Sequence, residues 1–116
     1  QCIYQDLDNK DQPSLHLCGW AGETLAAYAR ILPPGISYDH PSIGRVITNP
    51  AFRRYGFGRE LMRRAIRLTH SSFGDPVILI GAQQYLTEFY ASFGFEQVSE
   101  PYMEDGIPHI TMRLVR

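Results

Sequence analysis

At 116 residues the chain has the size of one domain, able to bury somewhat more than ~60% of its unfolded surface around a single core. With 44% hydrophobic and 20% charged residues it is not the composition of a disordered chain, and no apolar run approaches the ~20 residues that a membrane span needs. The formal net charge of -1, a short basic stretch and the absence of any recognised binding motif argue against a nucleic-acid partner.

The opening residues, QCIYQDLDNKD, have neither the basic nor the apolar segment of a signal peptide, which predicts a cytoplasmic protein without a membrane partner. Cys2 and Cys18 form no metal-type spacing and no disulfide framework, and are expected to be reduced and structural. The stretch SLHLCGWAGETLAAYARIL predicts two strands, about 15–20 and 24–32, turning near Ala21 and Gly22. Pro33, Pro34 and Gly35 end the second. After a loop to about Ser42, IGRVITN is β-branched and apolar enough for a buried strand, stopped by Asn49 and Pro50.

From Phe57 the apolar set Phe57, Leu61, Met62, Ala65, Ile66 and Thr69 recurs at helical spacing with Arg59, Arg63 and Arg67 opposite, predicting a helix that stops near Phe73 and Gly74. PVILIGA is a further buried strand. QQYLTEFYASF follows as a short helix with Leu86, Phe89, Tyr90 and Phe93 on one face, ended by Gly94. Residues 95–98 and PHITMRLV are the last two strands, linked through YMEDGI. No linker, repeat or low-complexity tract divides the chain. The order β-β-β-α-β-α-β-β is that of a single mixed α/β domain.

Charge is unevenly spread. Arg53, Arg54, Arg59, Arg63, Arg64 and Arg67 crowd one segment, whereas acidic residues gather near the start and at Glu96, Glu100, Glu104 and Asp105. Ten arginines stand against one lysine, and the guanidinium fork suits phosphate geometry. Between the buried strand and the long helix lie Gly56 and Gly58. Unsatisfied amides and the helix dipole make such a turn an anion site, and small residues let a phosphate approach the backbone. The dinucleotide fingerprint fails because Leu61 stands at its third glycine, and the P-loop pattern is absent.

What does fit is [RQ]-x-x-G-x-[GA], met as Arg53-Arg54-Tyr55-Gly56-Phe57-Gly58. Together with the strand before it, the helix and strand after it, and the helix ending in FYASFGF, this pattern resembles the GNAT superfamily of acyl-CoA-dependent N-acyltransferases. YQDLD, AYARIL, IGRVI, GAQ, FYASFGF and EDGIPHI look like its ElaA-like members, over nearly the whole chain. Those members carry a further strand and helices before YQDLD, so the resemblance implies a chain truncated at its N-terminus, with the acceptor side incomplete.

The resemblance implies acetyl-CoA as the acyl donor. It assigns the pantetheine arm to the backbone of Val46, Ile47 and Thr48, with an Ile47 amide able to polarise the thioester oxygen. The pyrophosphate falls to the amides of Arg54, Tyr55, Gly56, Phe57, Gly58 and Arg59, with the Arg53 and Arg54 side chains as charge partners. Gln83 is a candidate partner for the pantetheine amides, or else a helix cap. Tyr90, four residues before Gly94, matches the tyrosine that protonates the departing thiolate, although it also belongs to an ordinary apolar helix face.

The base is open, since the strand that carries a glutamate in many members has Arg45 here. Glu104 and His109 could bind or deprotonate an amine, or could belong to a hairpin turn and its packing. His16, His40 and His70 have no partner at informative spacing, so no metal site or triad is expected. Two functions are implied: an N-acetyltransferase acting on a primary amine of a small molecule or protein, and a non-catalytic acyl-CoA-binding or interaction module. A strand edge exposed by truncation would favour a homodimer.

Overall fold

A computed structural model describes residues 2–5 and 14–116, with side chains from residue 14 onward except those of Arg53 and Arg54. The strands are β1 (Cys2–Gln5), β2 (Leu15–Ala21), β3 (Thr24–Leu32), β4 (Ser42–Thr48), β5 (Val77–Gln83), β6 (Glu96–Gln97), β7 (Tyr102–Glu104) and β8 (Ile107–Val115). The helices are α1 (Phe57–Phe73) and α2 (Thr87–Ala91). All strands join one sheet in the order β1-β2-β3-β4-β5-β8-β6, with β7 also on β8. Every pairing is antiparallel except β4 with β5.

The apolar stripe read from the sequence is the buried face of α1: Leu61, Met62, Ala65 and Thr69 are buried, and Arg59, Arg63, Arg64 and Arg67 are exposed. Burial alternates from Ala27 to Ile31 of β3, as expected when successive side chains take opposite faces. Ala27, Ala29 and Ile31 join the core cluster with Leu61, Met62 and Ala65, whereas Tyr28 and Arg30 lie half-buried on the other face. Exposed Arg63 and Arg64 pair with Glu60 at 3.7 and 2.8 Å, contacts worth only about 0.3–0.5 kcal/mol each.

Three features differ from the sequence reading. An edge strand, β1, pairs with β2 where no strand was expected. The link YMEDGI is itself a hairpin arm: Glu104 pairs with Ile107 across Asp105 and Gly106, whose φ values of 53° and 76° are those of a two-residue turn with both central residues left-handed. QQYLTEFYASF is not one helix but a 3₁₀ turn, Gln84–Leu86, followed by α2. The carbonyl of Gln84 accepts from the Thr87 hydroxyl at 2.6 Å and from its amide, tightening the turn.

Two irregularities shape the middle of the sheet. The parallel pair β4 and β5 holds a single registered partnership, Ser42 with Leu79, beside which the Leu79 amide donates to the Pro41 carbonyl at 3.1 Å. Towards their C-terminal ends the two strands share no rungs. In β4 a bulge sets Arg45 and Val46 against Ala29 alone, because Tyr28 pairs with Ile47 and Arg30 with Gly44. Arg45 takes φ 53°, a left-handed conformation uncommon for a residue with a Cβ.

The far end of α1 is tied down by Asp75. Its carboxylate accepts from the Val77 amide (2.9 Å) and meets His40 Nδ1 (2.9 Å), while its carbonyl accepts from His70 Nδ1 (3.1 Å). His16 stacks on Tyr28 and hydrogen-bonds its hydroxyl. These three histidines thus serve packing and loop attachment.

Candidate functional site

Asn49 leaves β4 and caps the next turn: its Oδ1 accepts from the Ala51 amide (3.0 Å) and its Nδ2 donates to the Leu25 carbonyl (3.3 Å). That 3₁₀ turn, Pro50–Tyr55, delivers the chain to Gly56 at φ 77°. The first intrahelical bond of α1 runs from the Glu60 amide to the Gly56 carbonyl (3.1 Å). The amides of Phe57, Gly58 and Arg59 therefore have no intrahelical acceptor and carry the positive end of a 17-residue helix. A Cβ on Gly58 would come within 3.2 Å of Thr48 Oγ1, so glycine sets how closely the helix start meets β4.

The gap between β4 and β5 opens into two cavities. The first, about 640 Å³, is bounded by Val46, Ile47 and Thr48 on one side and by Gly56, Gly58 and Arg59 at its head. Tyr85, Leu86, Phe89 and Tyr90 close the other side. Arg59 is drawn to that wall, its Nη1 donating to Ser92 Oγ at 3.2 Å and its guanidinium lying 4.9 Å from the Phe93 ring centre. The second cavity, about 590 Å³, lies towards β8 and is lined by polar groups, among them Arg30, Tyr38, Arg45, Glu104 and His109.

Val46, Tyr85, Leu86 and Tyr90 border both cavities. Tyr90 is 7% exposed, with its ring edge-on to Phe89 and Phe95. Burial raises its pKa above the ordinary 10.0, and the neighbouring Tyr85 phenol adds to the rise, so it is a protonated phenol at neutral pH. In the second cavity His109 is buried and donates from Nδ1 to the Ile107 carbonyl (2.8 Å). That bond leaves the lone pair of the neutral ring on Nε2, which faces Glu104 Oε2 at 3.5 Å. Tyr102 stacks on His109, and its hydroxyl lies over Gly81 beside that of Tyr38. Burial raises the Tyr38 pKa, followed by the charge effect of Tyr102.

A glycine turn with three amides outside the helix ladder, a split sheet and a buried phenol at the split form one constellation. The family model described as "Acetyltransferase (GNAT) domain" matches residues 1–116. The chain belongs to the GNAT acetyltransferase family. Within it the likeness is to the ElaA branch: the chain is 42% identical to protein ElaA of Escherichia coli over 113 residues, covering 96% of this chain and 74% of that protein. The crystal structure of E. coli ElaA superposes with a TM-score of 0.76 at 39% identity, covering 87% of this chain and 67% of that one. An acyl-CoA N-acyltransferase from Pseudomonas aeruginosa reaches 0.80 at 38% identity over 88% and 68%. A Bacillus subtilis acetyltransferase solved in complex with CoA shares the fold, with a TM-score of 0.68 at 20% identity over 90% and 77%.

Of the residues singled out in this GNAT sequence, Val46, Ile47, Thr48, Gly56, Gly58, Arg59 and Tyr90 come together around the first cavity. Gln83, Glu104 and His109 line the second, so Gln83 stands on the opposite side of the split from the glycine turn. Tyr55 is 65% exposed at the end of the 3₁₀ turn, and Phe57 packs half-buried against the core. The side chains of Arg53 and Arg54 lie outside the described residues. Sequence reasoning passed over Arg30, Tyr38 and Tyr102. The alternation of β3 marks Arg30 as a polar residue opposite the core face; the two tyrosines, on a loop and in a short strand, carry no comparable signal.

Proposed function

We propose that the protein is an N-acetyltransferase that moves an acetyl group from acetyl-CoA to a primary amine by direct attack on the thioester. The observation that carries this reading is Tyr90, a buried, protonated phenol that borders both cavities. Acetyl-CoA enters as a substrate. Its pyrophosphate is held by the amides of residues 54–59, with Arg53 and Arg54 as charge partners, and its pantetheine arm lies along Val46, Ile47 and Thr48 in the gap where β4 has no partner in β5. Gln83 is a hydrogen-bonding candidate at the far wall of that gap.

The amine occupies the second cavity. His109, through its Nε2 lone pair, with Glu104 beside it, takes a proton from the ammonium directly or through water. The nitrogen lone pair attacks the acetyl carbonyl while a backbone amide of β4 that faces the gap stabilises charge on the oxygen. The Ile47 amide is turned the other way, paired with Tyr28 of β3. The C–S bond breaks, Tyr90 gives its proton to the departing thiolate, and the second proton that the nitrogen sheds as the amide forms returns to the Tyr90 phenolate through water. Free thiol released from acetyl-CoA, measured over a panel of primary amines, tests this. Amine-dependent release supports the reading. Acetyl-CoA binding without release for any amine would leave a non-catalytic acyl-CoA-binding module.

A further inference from the structure

We propose that the acceptor is an amine that also carries a carboxylate, an amino-acid-type molecule whose carboxylate is held by Arg30 and Arg45. The inference rests on the acetyltransferase reading of the same cavity. Sheet order divides that cavity by charge. Arg30 of β3 and Arg45 of the β4 bulge belong to one side, and Glu104, Asp105 and His109 of the β7–β8 hairpin belong to the other.

Two independent observations show the arginine side prepared for an anion. The Nε of Arg30 is shielded from solvent and finds no hydrogen-bond partner among the described residues. A buried donor left unmet keeps its desolvation cost until an acceptor arrives, and buried polar groups in native proteins are almost always satisfied. Arg45, for its part, holds a left-handed backbone in the middle of a strand. Bulges with such strain occur where a side chain must be re-aimed, and here the bulge brings Arg45 to the cavity.

The opposite walls select among amines. A polyamine would set an ammonium group against a guanidinium, and a neutral monoamine would leave Arg30 Nε unmet. An amine with a carboxylate satisfies both ends. Its ammonium meets Glu104 and His109 before losing a proton, and the planar guanidinium fork matches the carboxylate.

The test is acetyl-CoA-dependent thiol release by the full chain, with each proteinogenic amino acid compared with its carboxamide and its decarboxylated amine. At least one amino acid should exceed both analogues in kcat/KM by roughly tenfold or more, the range of a charge-assisted hydrogen bond. Arg30→Met should raise KM for that acid by a similar factor and bring its preference over the carboxamide towards one, with Arg30→Lys recovering part. Arg45→Gly serves as the second variant, because glycine is at ease at φ 53° and the fold is retained. The acetyl-CoA thermal shift of each variant reports an intact cofactor side.

Preference of the wild type for carboxamides or decarboxylated amines, or an amino-acid KM that neither variant moves, overturns the inference while acetyl transfer stands. Acetyl-CoA binding with no turnover of any carboxylate-bearing acceptor also overturns it. Absence of both an acetyl-CoA shift and thiol release removes the acetyltransferase reading as well.

Discussion

Substitution at Gly56 separates backbone strain from charge at the proposed pyrophosphate turn. Gly56 sits at φ 77° and ψ 14°, and a Cβ there would meet nothing within 4 Å. Gly56→Ala therefore meets no steric penalty from neighbours, only that of a left-handed residue with a Cβ, about 1–2 kcal/mol. At about 2.1 cal/mol/K of unfolding entropy per residue, 116 residues give about 0.24 kcal/mol/K, so Tm should fall by about 4–8 °C. Acetyl-CoA at 100 times its Kd should stabilise the wild type by about 2.7 kcal/mol, or about 11 °C on the same slope. Gly56→Ala should keep most of that ligand shift. Gly56→Glu should lose it, because a carboxylate then stands where the pyrophosphate would lie. Calorimetric or fluorescence melts with and without acetyl-CoA read both quantities. Retention of the full shift by Gly56→Glu would refute the anion-turn argument, and an unperturbed Tm for Gly56→Ala would refute the backbone account.

Tyr90→Phe removes the phenol but keeps the edge-on ring contacts with Phe89 and Phe95, so stability should change by less than about 1 kcal/mol while kcat falls by roughly 10²–10⁴; an unaltered kcat would sink its role as the acid. Because burial raises the Tyr90 pKa, any loss of wild-type rate from its ionisation should reach its midpoint only above pH 10.0 in a pH–rate profile. His109→Ala should slow transfer by about 10²-fold, with part of the rate restored by added imidazole; a variant as fast as the wild type would remove His109 as the base. The Val77 amide and then His40 hold the Asp75 carboxylate below its ordinary range. Its stabilising effect is complete above the unfolded value near pH ~4 and is lost as pH falls through the lower folded value. Melts of Asp75→Asn should show a flatter acid limb than the wild type, and identical limbs would count against this linkage.

The helix α1 was legible because a 3.6-residue apolar period over 17 residues admits no other element, β3 and β4 because their apolar runs are bounded by glycine and proline, and β5 and β8 because theirs begin directly after Pro76 and Gly106. The glycine turn was legible too, since Gly56 and Gly58 stand between a strand and a helix start. Other parts carried weaker signals. Tyr102–Glu104 is only three residues long and becomes a strand by pairing with β8 across Asp105 and Gly106. The segment after β5 has the apolar spacing of a helix, yet side-chain and backbone bonds to Gln84 convert its first turn to 3₁₀.

Most of the elements, the anion-ready turn and the family likeness can be read from the order of residues, because each depends on neighbours close together in the chain. What meets across the sheet depends instead on the tertiary arrangement. The order β3-β4-β5-β8, with β7 on β8, draws Arg30 and Tyr38 from one part of the chain and Glu104 and His109 of the distant β7–β8 hairpin into one cavity. The single rung between β4 and β5 opens the gap that Tyr90 borders on both sides. Strand order and register arise from long-range pairing, so no local periodicity can encode which of these side chains will share a wall.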